Sequence, residues 1–245
     1  MKNLFIPLLA CIACAVIVSF TAVSVRSTQD LNLENDKKSK ILLAAGINSE
    51  NINEEFEKIE IIYVNFKSNE LVEMDEKYDH LKATLKSDLS TAVPKEKDIA
   101  ILKRMENVGP MYLWFDKEDN IEKVVLPIRG YGLWGTLYGY ISLASDLNTI
   151  NGIEFYEHKE TPGLGGEVDN PNWKNIWVGK EIYQSGDVKL QVIKGAVDKN
   201  MNDAKYMVDG LSGATLTSRG VSNMIEYWFS DSGYLKLLEN FDYES

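Results

Sequence analysis

Three glycine-rich stretches hold the residues of this chain that could do chemistry. The most informative is Asp209-Gly210-Leu211-Ser212-Gly213-Ala214-Thr215-Leu216-Thr217, where small residues surround a threonine. That threonine stands at the start of a helix, read from Val221, Met224, Ile225, Trp228 and Phe229, which fall at i, i+3, i+4, i+7 and i+8 on one apolar face. The run Thr215-Leu216-Thr217-Ser218 lies just ahead of that face, where an N-cap is expected. A helix N-terminus carries unsatisfied N–H groups and roughly half a positive charge, so a phosphate placed there is stabilised. Two other chemistries fail on residue type. A P-loop needs Gly-Lys-Ser/Thr, and the stretch has no lysine. Ser212 as a hydrolytic nucleophile needs a histidine base, and the chain has only His80 and His158.

The second stretch, His158-Lys159-Glu160-Thr161-Pro162-Gly163-Leu164-Gly165-Gly166, is a loop fixed by its proline and glycines. It is either a plain turn or a turn that presents backbone N–H groups to the carbonyl or ring-nitrogen edge of a ligand. His158 and Glu160, with no third His or Cys nearby, are too few ligands for zinc, and no metal is expected. The third, Gly130-Tyr131-Gly132-Leu133-Trp134-Gly135, matches G-x-G-x-x-G. A dinucleotide fingerprint must open a helix, whereas Thr136-Leu137-Tyr138-Gly139-Tyr140-Ile141 follows here and is rich in β-formers. That leaves a tight bend between strands, or glycines that let backbone approach a flat ligand while Trp134 lies against its ring.

The elements that must position these loops read as α+β, a mainly antiparallel sheet with flanking helices. Residues 60–66 form a strand pattern, and 111–115 and 121–126 flank a five-residue loop as a hairpin would. Residues 137–143, 153–156 and 188–192 are further strands, with no long helix between them to suggest repeated βαβ units. Residues 67–106 are charged and irregular and show no nameable chemistry. Tyr234, Leu235, Leu237, Leu238 and Phe241 are expected to pack the tail onto the domain.

Residues 3–25 carry no charge and are closed off by Lys2 and Arg26. As a helix they would span roughly 34 Å, enough to cross a bilayer core. A cleaved signal peptide has a shorter apolar stretch and a small-residue cleavage site, and Ser24-Val25-Arg26 offers none. Leu8-Leu9-Ala10-Cys11 only faintly resembles a lipoprotein signal, because the apolar run continues past Cys11. The expected organisation is a transmembrane anchor over 1–26, a stalk over 27–55 that turns helical before Gly46, and one domain over 56–245. Cys11 and Cys14, the only cysteines, share a helix face inside the anchor. They are read as small residues at a helix contact rather than a metal pair. Basic residues after the helix (Arg26, Lys37, Lys38, Lys40) outnumber those before it, which counted literally argues for a cytoplasmic domain, although long domains translocate regardless of charge. With 26 basic against 37 acidic residues, a net charge of −11 and no Lys/Arg run, no nucleic-acid partner is expected.

Together, Thr161-Pro162-Gly163-Leu164-Gly165 and Ser212-Gly213-Ala214-Thr215 resemble the FMN-binding domain family in which flavin is joined through a phosphoester to the threonine of an S/T-G-A-T motif. With the string Leu126-Pro127-Ile128-Arg129-Gly130-Tyr131-Gly132-Leu133-Trp134-Gly135 and the anchor, the chain resembles the C subunits of Na+-translocating NADH:quinone reductases. The G subunits of Rnf-type ferredoxin:NAD electron-transport complexes share the anchor and both motifs and are the alternative. The likeness covers the anchor and about residues 108–241. It implies covalent FMN on Thr215, in a site formed by Trp134, His158, Glu160, Thr161, Gly163, Leu164, Lys194, Ser212, Gly213, Ala214, Leu216 and Thr217. Lys194 would offer a cation to the N1/O2 edge of a negatively charged reduced flavin. An FAD-dependent flavin transferase using Mg2+ would form the bond and read Asp209, Ser212, Gly213 and Ala214; Asp209 is equally well read as a turn acid. The resemblance further implies no acid–base catalysis by this chain. It implies an electron relay among other subunits of a bacterial inner-membrane complex that oxidises NADH, reduces ubiquinone and moves Na+, with this domain on the periplasmic side.

Overall fold

The computed structural model describes residues 2–75, 77–239 and 241. Helix α1 (Lys2–Ala44) runs without a break, and its first half is long and apolar enough to cross a membrane. The backbone does not change at the boundary expected at Arg26, and the segment expected to be a stalk continues as helix. A Glu34–Lys38 ion pair at 2.8 Å, one turn apart, supports the polar part. Past position 36 the helix meets the domain: Ile41, Leu42, Ala44 and Ala45 are buried. Gly46, at φ +75°, ends it in the left-handed conformation expected of a helix C-terminus, with the Ile47 N–H donating to the Leu42 carbonyl at 2.8 Å.

After α2 (Ile52–Phe56) come β1 (Glu60–Asn65) and β2 (Glu70–Val72), a tight hairpin. The charged region that follows holds α3 (His80–Ala83), capped by the Asp79 carboxylate, then the ribbon of β3 (Ser90–Ala92) and β4 (Arg104–Glu106). The expected hairpin is β5 (Val108–Phe115) and β6 (Ile121–Tyr131), followed by β7 (Thr136–Ala144) and β8 (Ile150–Glu157). These strands form a six-stranded antiparallel sheet in the order β2-β1-β5-β6-β7-β8. Side chains alternate across it. Met111, Leu113, Val124, Leu126 and Ile141 face the main core, while Tyr112, Trp114, Val125 and Tyr140 meet the foot of α1. Both faces are covered, which is why the strands read as nearly continuous apolar runs.

Strand β6 extends five residues beyond the expected end at Leu126. Its pairing with β5 reaches only Val125, whereas β7 pairs along it to Tyr131. Pro127 therefore sits where no β5 partner needs an N–H, and proline is tolerated there. Beyond β8, α4 (Pro171–Asn175) precedes the β9 (Tyr183–Gln184) and β10 (Asp187–Val188) hairpin. The strand expected over 188–192 is two short pieces. The Ile182 carbonyl accepts the Lys189 and Leu190 N–H groups at a bend, after which β11 (Gln191–Val192) pairs in parallel with β12 (Met207–Val208). Helix α5 (Thr215–Trp228) begins at Thr215, so the polar run 215–218 forms its first turn instead of preceding it. α6 (Leu235–Glu239) packs the tail, with Tyr234, Leu237 and Leu238 buried and Phe241 against the same core.

Helix α5 is fixed to β6 by a buried polar cluster. The Trp228 indole N–H donates to the Arg129 carbonyl at 2.7 Å, and the Arg129 guanidinium lies 5.3 Å from the Trp228 ring centroid. Arg129 makes a two-pronged ion pair with Glu106, at 2.8 and 2.6 Å. Burial works against the guanidinium charge, but Glu106 more than offsets it and Arg129 titrates above its ordinary range. Glu106→Ala would leave the buried cation without its carboxylate, and should lower stability by about 3–5 kcal/mol. Equilibrium urea unfolding followed by tryptophan fluorescence checks this; a loss under about 1 kcal/mol would mean that the pair contributes only as much as a surface ion pair.

Candidate functional site

Four loops converge at the N-terminus of α5: the 132–135 turn between β6 and β7, residues 158–164 after β8, residues 193–197 after β11, and residues 209–214. Their common fastener is Glu160, which is 5% exposed. One carboxylate oxygen accepts the Leu133 and Trp134 N–H groups, both at 2.9 Å, and the other accepts the Thr217 hydroxyl at 2.5 Å. The clearance for this carboxylate comes from glycine. A Cβ at Gly132 would come within 2.6 Å of Glu160 Oε1, and one at Gly165 within 2.6 Å of Thr217 Oγ1. The G-x-G-x-x-G string is accordingly a hairpin turn, closed by the Gly132 N–H to the Gly135 carbonyl at 2.8 Å. Its first glycine lets Met224 of α5 pack against β6.

The Glu160 N–H donates to His158 Nδ1 at 3.1 Å, which puts the ring proton on Nε2, 2.8 Å from Asp169 Oδ2. His158 and Glu160, both expected among the cofactor contacts, thus commit their polar atoms to the framework that holds the loops. The Thr161 carbonyl accepts the Leu164 and Gly166 N–H groups at 3.1 and 2.9 Å, folding the Pro-Gly turn. Leu164 lies against Gly213, whose φ of +70° needs glycine.

Asp209 ties down the remaining loops. Its carboxylate accepts the Val197 N–H at 2.8 Å, its carbonyl accepts the Trp173 indole N–H at 2.8 Å, and the Gly210 N–H donates to the Gly195 carbonyl at 2.8 Å. These bonds fix the Lys194 loop beside the Ser212-Gly213-Ala214-Thr215 segment. The Ser218 hydroxyl accepts the Leu211 N–H at 3.0 Å inside the core, and Ala214 is buried, while Ser212 and Gly213 are exposed.

The two candidate threonines differ sharply. Thr217 is wholly buried and bonded to Glu160, whereas Thr215, the first residue of α5, is exposed. Beside Thr215 opens a cleft of about 590 Å³, lined by Gln191, Lys194, Gly210, Arg219, Ser222 and Glu226 among others. That volume suits a drug-sized ligand. Three large apolar side chains around the loops are left to solvent, Trp134 at 63%, Leu216 at 52% and Leu164 at 44%. None of the three lines the cleft, but apolar groups held out on loops around the same helix end are available to a flat aromatic ligand. Arg219, four residues after Thr215 on the same helix, lines this cleft and is not marked by the motifs, although its i,i+4 spacing from Thr215 puts the two on one face. Trp173, which braces Asp209, carries no such signal.

The chain is a mixed α+β domain carried on one N-terminal helix, with an exposed hydroxyl, apolar side chains and a lysine gathered at the tip of α5. Residues 132–230 match the FMN-binding domain family. The chain is 42% identical over 248 residues to the C subunit of the Na(+)-translocating NADH-quinone reductase of Pseudomonas aeruginosa, a match spanning 98% of this chain and 95% of that protein. It is 40% identical over 237 residues to the C subunit of the same enzyme from Vibrio anguillarum, spanning 95% and 91%. The crystal structure of NqrC from Shewanella oneidensis superposes with a TM-score of 0.77 at 32% identity, over 84% of this chain and 96% of that one. The crystal structure of the C subunit from Parabacteroides distasonis gives 0.67 at 33% identity, over 87% and 96%. The chain belongs to the family of C subunits of Na+-translocating NADH-quinone reductases, rather than to the Rnf-type alternative.

Glu160→Ala would strand two backbone N–H groups and a buried hydroxyl, at a cost of about 1–3 kcal/mol for each group left unpaired. Hydrogen exchange at the Leu133 and Trp134 amides should accelerate markedly while the β5–β6 amides keep their protection. Unchanged exchange at those two amides would show that the turn holds itself.

Proposed function

We propose that this chain carries FMN joined through a phosphoester to Thr215 and relays electrons between other subunits of a Na+-translocating NADH-quinone reductase. The observation that carries the attachment site is the contrast between the two threonines. Thr215 offers an exposed hydroxyl at the helix tip, while the Thr217 hydroxyl is spent on Glu160. When bound, FMN supplies reversible electron acceptance; the protein supplies position and electrostatics. Helix α5 directs N–H groups and its positive end at the phosphate. Trp134, Leu164 and Leu216 cover the faces of the ring and keep water from them. Thr161 and Gly163 shape the loop along its edge. Lys194, exposed beside the cleft, places a cation where negative charge gathers on reduction.

A threonine hydroxyl at neutral pH is a weak nucleophile, so a separate FAD-dependent flavin transferase with Mg2+ makes the bond. Thr215 Oγ replaces AMP on the FMN phosphorus and its proton passes to the transferase. Ser212, Gly213 and the exposed start of α5 leave room for that enzyme, and Asp209 presents the segment. Helix α1 anchors the chain in the bacterial inner membrane by a single pass, with the domain on the periplasmic side. One helix cannot enclose an ion path, so Na+ crosses through partner subunits.

Denaturing electrophoresis of the chain co-expressed with its transferase should show a flavin-fluorescent band that Thr215→Ala abolishes. A band that survives the substitution refutes the attachment site. Lys194→Ala, by removing a cation from beside the reduced ring, should lower the two-electron midpoint potential by on the order of 30 mV, the equivalent of about 1.4 kcal/mol. Spectroelectrochemical titration reads this directly, and an unchanged midpoint would clear Lys194 of the role.

A further inference from the structure

The cleft beside Thr215 holds more positive charge than its own side chains offset. Helix α5 has no side-chain N-cap and no acidic residue in its first turn. An aspartate or glutamate is the usual companion of that end, where the helix macrodipole is positive. Arg219 stands one turn into the helix, a placement that the macrodipole disfavours. Among the described residues it makes no ion pair. Lys194 lines the same cleft from the opposite loop and Lys189 from the bend before β11, and the one carboxylate in the lining, Glu226, lies two turns further along α5. Cations gathered at the positive end of a helix call for an anion.

The place of Arg219 on the helix says where that anion sits. Helical side chains lean toward the N-terminus and cover the turn before their own Cα. A long side chain at 219 therefore lies over the surface around Thr215, four residues earlier. Lys194 approaches from β11, on a loop tied to Gly210 and Asp209 through Gly195 and Val197, and its ammonium lacks the paired planar donors of a guanidinium.

We propose that Arg219 is a positioning residue that binds the phosphodiester oxygens of FMN on Thr215, leaving Lys194 to the ring. The inference rests on the covalent-FMN reading above and adds a division of labour between Arg219 and Lys194. A guanidinium presents paired N–H donors to two phosphate oxygens, which restrains rotation about the Thr215 Oγ–P bond as well as neutralising charge. With the phosphate held in this way, the flexible ribityl chain starts from one direction and the ring is brought back to Trp134 and Leu164.

Phosphorus-31 NMR on the detergent-solubilised, flavinylated full-length chain tests this, with Arg219→Gln and Arg219→Lys compared at matched protein content and flavin loading read by absorbance. The phosphodiester line should move beyond its own width in Arg219→Gln and return most of the way in Arg219→Lys, with thermal unfolding temperatures unchanged. Loss of flavin loading in Arg219→Gln that Arg219→Lys restores would equally support a cation at the phosphate. A line that Arg219→Gln leaves in place overturns the proposal, and so does failure of both variants to load, since a lysine should substitute in part. If the unmodified chain shows no phosphodiester line, it is the covalent linkage that fails, and the two failures are told apart.

Discussion

A single buried carboxylate sets the geometry of the flavin side of this domain. At 5% exposure the Glu160 oxygens are out of reach of solvent, so their partners must come from the protein. Its three donors come from two other parts of the chain: the β6–β7 turn and the first turn of α5. Hydrogen bonds to an ionised acceptor are stronger than neutral ones, and here they draw distant segments to one point. The threonine that serves as donor is unavailable for anything else, which leaves its neighbour two positions back as the free hydroxyl. The exposed hydroxyl at Thr215 and the loop architecture at Glu160 are thus two outcomes of one packing arrangement.

The same carboxylate explains which features are legible in the sequence. Two of the three glycine-rich stretches are glycine-rich where Glu160 passes, at Gly132 and Gly165, and this steric reason leaves no letter pattern that differs from a nucleotide-binding loop. The β-forming residues after Gly135 are enough to reject a helix, so the turn is readable while its cause is not. Thr215, Trp134, Leu164 and Lys194 can be named because short motifs set their neighbours. Arg219 cannot, because its significance lies in what it lacks: a paired carboxylate. His158 and Glu160 are marked by their position in the loop, and only the structure shows the hydrogen bonds that their side chains make to Asp169, to the β6–β7 turn and to Thr217.

At the level of the fold, period-two and period-3.6 patterns carry the central strands and α5. They fail where pairing partners change along one strand. Pro127 reads as the end of β6 because a ladder on both sides would reject it, yet only β7 runs that far. Residues 67–106 read as irregular because their short elements are held by side chain–backbone bonds and hydroxyl contacts, such as Asp79 on α3 and Arg104 on Ser90, which have no periodicity. The polar half of α1 separates from the apolar half in the sequence because charge begins at Arg26, but charge is compatible with helix and the backbone runs on.

Continuity of α1 bears on what a membrane-tethered relay can do. Its last turns are buried against Tyr112, Trp114 and Tyr140, and Lys40 near its end is 3.3 Å from Glu154. Glu154 also binds Lys174 of α4 at 2.5 Å, and the next residue back, Trp173, holds the Asp209 carbonyl just ahead of the Thr215 segment. A short chain of contacts therefore joins the foot of the anchor to the loop that presents the hydroxyl. A flexible linker would let the domain search a volume that grows with linker length, diluting each encounter with a partner. A helix joined to the sheet by apolar packing and a shared carboxylate fixes the height and heading of the domain instead. Any movement of the proposed flavin between donor and acceptor must then come from tilting of the whole helix or from its partners, and a break introduced between positions 26 and 36 would change electron transfer without touching the flavin site.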